Sequence, residues 1–220
     1  MKKDKQSMKD PYPLSFGEEI GNTISHGVMW VLVLFLLPFF AVRSYILGGI
    51  PYSVGISIYM ICMFFMYMGS TLYHSAPYHT THKYVFRKLD HIMITLAIAG
   101  TYTPICIMIL PSPIRWILLT LEWVLAFIGI LLKAISSQSH PKLSMTIYMT
   151  MGWLAIFMLP TLWAYSSTAF LICILLGGIF YTIGAFFYAH PEKNYFHFVW
   201  HIFINLASIL HFIAIAFFIT

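Results

Sequence analysis

The chain has 220 residues, of which 60% are hydrophobic and 9% charged, and its formal net charge is +5. A soluble domain of this size carries about a quarter charged residues, and apolar runs recur from end to end, so no stretch is left for a separate soluble domain. The composition points to one all-α integral membrane domain and excludes a nucleic-acid partner, because the basic residues form no aromatic-interleaved patch.

Residues 1–17, opening MKKDKQSMKD, read as a cytosolic tail. Glu18 and Glu19 separate its positive charge from the first apolar run, and no small-x-small cleavage pattern follows that run, so a retained tail is expected and not a signal peptide. Residues 18–220 read as one membrane domain. A helix needs about 20 apolar residues to cross the hydrocarbon core. The runs between polar breaks give seven candidates: 22–42, 52–74, 90–110, 114–133, 144–164, 168–189 and 195–219. The breaks LGGIP, LPSPIR, SSQSHPK and HPEKN hold glycine, proline and charge. Pro38, Pro104 and Pro160 fall inside spans, where kinks are expected. Cys62, Cys106 and Cys173 each sit in an apolar run with no metal-ligand spacing between them, and read as small apolar fillers.

Orientation follows from the basic residues. Lys2, Lys3, Lys5, Lys9, Lys83, Arg87, Lys88, Lys133, Lys142 and Lys193 fall on one side of the seven-span scheme, and only Arg43 and Arg115 on the other. Cytosolic loops are enriched in Lys and Arg, so the N-terminus is expected in the cytosol and the C-terminus outside. The net charge is therefore a topology signal.

That topology gathers the polar side chains at one end. The first span opens with EEIGNTISH, bringing Glu18, Glu19, Asn22 and His26. The second closes on GSTLYH, with Ser70 and His74; the third opens on KLDH, with Asp90 and His91; the seventh opens with His197 and His201. Positions i and i+4 lie one helical turn apart on the same face, so His197 shares a face with His201 and Ser70 with His74, and Glu19, Asn22 and His26 form a third stripe. Stripes of this kind turned to lipid would cost several kcal/mol, roughly, and are expected to face the bundle interior.

Two histidines one turn apart on a helix can share a metal ion, and a third from another helix gives a three-histidine site with an open position. Such a site lowers the pKa of bound water to about 7. Asp90 could hold that water or take its proton, and Ser70 could donate to a substrate carbonyl. The competing reading is plain: a histidine in a membrane helix is commonly an interhelical hydrogen-bond partner. Asp90 can equally cap its helix or pair with Arg87 or Lys88, Ser70 can be a packing residue, and Glu18 or Glu19 can sit at a helix N-terminus. His26 and His211 read as structural, and His79, His82, His140 and His190 as solvated loop residues. Glu122, in TLEWVLAF, is the one acid near mid-membrane and a candidate for an ion or proton pathway. A retinal protein is excluded because residues 195–219 contain no lysine for a Schiff base.

Taken together, ExxNxxxH (Glu19, Asn22, His26), SxxxH (Ser70, His74), LDH with Asp90, GTYTP (Gly100 to Pro104) and HxxxH (His197, His201) resemble the hemolysin III family. That family is grouped with the progestin and adipoQ receptors and the alkaline ceramidases in a proposed superfamily of membrane hydrolases. The resemblance runs over nearly all of the chain after residue 15. It implies seven helices with the N-terminus inside, a Zn2+ ion on His74, His197 and His201, and Asp90 and Ser70 beside it. It further implies a multi-pass protein of the cell membrane, here a bacterial plasma membrane, acting on an amide or ester bond of a membrane lipid or in membrane homeostasis. The family's name offers the alternative of a pore-forming cytolysin, but seven spans and an apolar surface suit a resident membrane protein better than a secreted one.

Overall fold

The computed structural model describes residues 7–9, 11–136 and 138–219. Lys2, Lys3 and Lys5 of the charge count, with the rest of residues 1–6 and residue 10 of the expected tail, lie outside the described residues. Among the described residues the architecture is all helical apart from a single antiparallel bridge between Ser7 and Gln138. Its helices are α1 (Phe16–Ser75), α2 (Thr81–Met108), α3 (Ile114–Ile135), α4 (Pro141–Trp153), α5 (Leu159–Tyr165), α6 (Thr168–Tyr188) and α7 (Phe196–Phe217). A 3-10 segment, Leu154–Met158, joins α4 to α5. Six of the helical stretches are long and apolar enough to cross a membrane, with Pro141–Tyr165 counted as one.

The 60 residues of α1 would measure about 90 Å if straight, some three times the hydrocarbon thickness. They are not straight. Gly48 and Gly49 leave helical geometry, and Gly49 adopts φ 70° and ψ −159°, a region open essentially to glycine alone. The two arms fold back antiparallel. His26 meets Tyr67 edge-on at 5.1 Å between ring centroids, Trp30 meets Phe64 at 5.7 Å, and the Ser53 hydroxyl donates to the Ala41 carbonyl at 2.9 Å. The sequence expectation of a break at LGGIP is met by this turn.

Two boundaries differ from the expected ones. α2 starts at Thr81, capped by the Thr80 hydroxyl at Lys83 N, nine residues before the apolar run. Lys83 and Arg87, expected in a loop, are helical and buried. Local capping sets the start of this helix; the apolar run marks only the part that meets hydrocarbon. The stretch expected at 144–164 is split by the 3-10 segment just before Pro160, which lacks the N–H that would bond the Ile156 carbonyl. α1 and α2 continue as helix through Pro38 and Pro104.

The core is formed by the second arm of α1, α2, α6 and α7, around Ile56, Tyr59, Met60, Tyr67, Phe170 and Ile215. Phe16, Phe35, Ile46, Phe157 and Trp163 are exposed, whereas Glu19, Asn22, His26, His74, Asn205 and Glu122 point inward. Polar inside and apolar outside is the arrangement of a protein whose solvent is lipid. The three cysteines are free, and Cys62 and Cys106 are buried, in keeping with their reading as fillers.

Candidate metal centre

Four helix ends build the site. The first arm of α1 starts with Ser15 as N-cap; its hydroxyl accepts from Glu18 N, and the Glu18 carboxylate accepts from Ser15 N at 3.1 Å. This reciprocal pair fixes the first turn. Glu18 also accepts from Tyr195 N at 2.6 Å, which ties the entry to α7 to the entry to α1. The second arm of α1 delivers Ser70 and His74 in its last two turns, α2 delivers Asp90, and α7 delivers His197 and His201 in its first two turns.

His74, His197 and His201 each offer a nitrogen, and the three nitrogens lie within 4.8 Å of one another. The rings of His74 and His201 are 4.8 Å apart, those of His74 and His197 5.2 Å, and those of His197 and His201 5.0 Å. His74 and His201 are buried and His197 is half-buried. The set implied by the family resemblance is thus brought together by helices far apart in sequence. His26 stacks on His201 at 3.9 Å between centroids. The sequence puts His26 on one stripe with Glu19 and Asn22 but reads it as structural, and the structure places it against the cluster.

The polar atoms of this cluster are unevenly satisfied. His74 Nδ1 lies 2.5 Å from Glu19 Oε2, and Lys83 Nζ donates to Glu19 Oε1 at 2.6 Å. By contrast, His74 Nε2, His201 Nδ1 and both ring nitrogens of His26 are buried without a hydrogen-bond partner among the described residues. Leaving such an atom unsatisfied costs about 1–3 kcal/mol, so a cation that takes up imidazole lone pairs relieves a penalty built into the fold. Zn–N bonds are about 2.0–2.1 Å, so two nitrogens on one ion are at most about twice that apart. The three nitrogens lie within 4.8 Å of one another, wider than the roughly 3.3 Å of a tetrahedral ion, so the rings would have to draw together around it. The donor set fits zinc, as neutral imidazole suits it well.

Ser70 is buried and Asp90 partly so. They lie on helices that pack closely here: a Cβ at Gly69, next to Ser70, would lie 3.5 Å from Asp90 N. Asp90 Oδ2 is 3.7 Å from His91 Nδ1. Neither Ser70 nor Asp90 hydrogen-bonds to the three histidines among the described residues. His91 is occupied elsewhere: its Nδ1 donates to the Arg87 carbonyl at 2.6 Å and its Nε2 meets the Tyr188 hydroxyl at 3.2 Å. His211 bonds the Ile174 carbonyl at 3.1 Å, well along α7 from the cluster, which agrees with its reading as structural. His79 and His140 are exposed outside the helices as expected; His82 is exposed but lies in the first turn of α2, and His190 is half-buried and bonds the Phe186 carbonyl at 2.8 Å.

A groove of about 570 Å³ runs beside the cluster, lined by Phe16, Ile20, Ile24, Pro77 and Tyr78, with Glu19 and His74 in its wall. The Tyr78 hydroxyl accepts from Leu14 N at 2.9 Å; burial and the neighbouring Glu19 carboxylate push that phenol above its ordinary pKa. At the far side of the bundle, Glu122 is fully buried on α3 beside Ala126, and both its carboxylate oxygens are without a partner among the described residues.

An all-helical bundle with lipid-facing apolar walls and a buried histidine cluster at one end defines a multi-pass membrane protein with a candidate metal centre. Comparison with known proteins narrows this. The family model described as "Haemolysin-III related" matches residues 14–212. The chain is 34% identical over 202 residues to "Hemolysin-3" of Bacillus cereus, covering 92% of each chain. It is also 34% identical over 201 residues to the "Hemolysin-3 homolog" of Bacillus subtilis (strain 168), covering 91% of this chain and 94% of that one. A more distant relative is the human "Monocyte to macrophage differentiation factor", 24% identical over 167 residues, 72% of this chain and 67% of that one. The chain belongs to the haemolysin-III family.

Proposed function

We propose that this protein is a seven-span, zinc-dependent hydrolase of a bacterial plasma membrane, acting on an amide or ester bond of a membrane lipid. The reading is supported above all by one observation: three imidazole nitrogens from two distant helices lie within 4.8 Å of one another in a largely buried site. The seventh span is the second arm of α1, set antiparallel to the first by the turn at Gly48–Gly49. Lys9, Lys83, Arg87, Lys88, Lys133, Lys142 and Lys193 fall at the end holding the cluster, and Arg43 and Arg115 at the other, which supports an N-terminus in the cytosol and a C-terminus outside.

Zinc on His74, His197 and His201 would supply Lewis acidity to polarise a carbonyl and to acidify water. The residues around it do the rest. Asp90, on α2 beside the cluster, holds the attacking water by hydrogen bonding and accepts its proton. Ser70 donates to the developing oxyanion from one turn before His74. The groove past Phe16, Ile20 and Ile24 offers a lipid an approach from the hydrocarbon layer to the wall formed by Glu19 and His74. The test is metal analysis of the detergent-purified protein, followed by a screen of lipid amides and esters. About one zinc per chain and release of a fatty acid or amine are expected; metal-free protein with the wild-type fold would overturn the reading.

A second reading, lysis through a pore or ion pathway, has in its favour the names of the Bacillus relatives and the buried Glu122, whose carboxylate has no partner among the described residues. It requires that purified protein release dye from foreign vesicles. No release at any protein-to-lipid ratio removes it.

A further inference from the structure

We propose that Glu19 is a positioning residue for His74, fixing the tautomer that presents Nε2 to the other two histidines, and that Lys83 holds Glu19 in place. The proposal rests on the zinc reading for its purpose but on hydrogen-bond chemistry for its geometry. A neutral imidazole has one N–H donor and one bare acceptor nitrogen, and an ionised carboxylate can only accept. Between a neutral His74 and an ionised Glu19, whose Oε2 lies 2.5 Å from Nδ1, the proton sits on Nδ1 and Nε2 keeps its lone pair. That Nε2 is buried and without a partner among the described residues. A carboxylate on the outer nitrogen orients a metal-binding histidine and raises its basicity.

The neighbours of Glu19 fit this task. Glu18 already serves the helix N-terminus, through its reciprocal bonds with Ser15 and its bond from Tyr195 N, so Glu19 is not needed as a cap. Lys83 is buried, donates to Glu19 Oε1 at 2.6 Å, and lies over the rings of Tyr73 at 4.6 Å and Tyr78 at 4.4 Å. A buried ion pair is weak support for stability, since desolvation offsets its attraction; holding a carboxylate in one orientation is a use such a pair serves. Asn22 Nδ2 lies 3.4 Å from the same His74 Nδ1, so as placed it meets a protonated Nδ1 donor to donor. Turned by half a rotation, the amide presents Oδ1, without a partner among the described residues, as a second acceptor for that N–H.

The experiment has two parts. Nitrogen-15 NMR of histidine-labelled, metal-free protein reads the tautomer of His74, assigned by its loss in His74→Ala. Competition with a zinc chelator then reads zinc affinity in wild type, Glu19→Ala, Glu19→Gln and Lys83→Met, each checked for folding by thermal unfolding. A proton on Nδ1, a zinc affinity about 10–100-fold weaker in Glu19→Ala, and a smaller loss in Glu19→Gln, whose amide oxygen still accepts from Nδ1–H, are expected. Lys83→Met should fall between these two. A proton on Nε2 in wild type overturns the proposal, as does wild-type zinc affinity in a folded Glu19→Ala. If Glu19→Ala does not fold, the wild-type tautomer and the Glu19→Gln affinity decide. A wild type that binds no zinc but carries the proton on Nδ1 overturns the hydrolase reading while leaving the role of Glu19 intact.

Discussion

His74 and His201 are separated by 127 positions and yet share one pocket with ring centres 4.8 Å apart. At this scale the roles of the histidines separate cleanly. Replacing His74, His197 or His201 by Ala should sharply reduce bound zinc and lower the unfolding temperature, because a site that binds only the folded state adds its binding free energy to folding. Metal analysis and thermal unfolding in detergent check both outcomes. His211→Ala should keep its zinc, since its ring bonds the Ile174 carbonyl and not the cluster; an empty site in that variant would refute the assignment. Asp90→Asn should keep zinc at wild-type stoichiometry and lose lipid hydrolysis, as the amide cannot take a proton from water. Retained turnover in Asp90→Asn would place the base elsewhere.

Among the elements, the turn at Gly48–Gly49 and the first turns of α2 carry the most consequence. Gly49 holds a backbone conformation that other residues enter at a cost of about 1–3 kcal/mol. Gly49→Ala should therefore lower the unfolding temperature by the corresponding amount while leaving zinc stoichiometry unchanged, because the turn lies at the opposite end of the hairpin from His74. A thermal melt and a zinc assay on the same sample decide this, and an unchanged melt would mean the turn adapts freely. The early start of α2 matters for a different reason. It carries Lys83 into the protein interior, where the apolar pattern alone gives no hint of a helix: the signal is the Thr80 cap, two residues before His82 and outside any apolar run.

For the whole molecule, charge and burial point the same way. The histidine cluster, the buried Glu19–Lys83 pair and the excess of basic side chains share one end, and lipid-facing aromatics cover the sides. A topology reporter fused at the C-terminus should behave as extracytoplasmic, and one fused at the N-terminus as cytosolic. A cytosolic C-terminus would mean an even number of crossings and would separate α7 from the other three helix ends on the membrane.

The sequence by itself determined the class of protein, since 60% hydrophobic composition and recurrent apolar runs cannot be reconciled with a water-exposed fold. It also marked the end at which polar side chains gather, because i, i+4 spacing and loop charge are local properties of the chain. It could not show that His74 meets His197 and His201, which depends on how α1 and α7 pack across more than 120 intervening residues. Nor could it assign Glu19: its spacing puts it on one stripe with Asn22 and His26, but a first-turn acid can equally serve the helix terminus. Only tertiary structure divides the work, giving Glu18 to the cap and Glu19 to His74 and Lys83, because a hydrogen bond between separate helices is set by their packing and not by the spacing within either one.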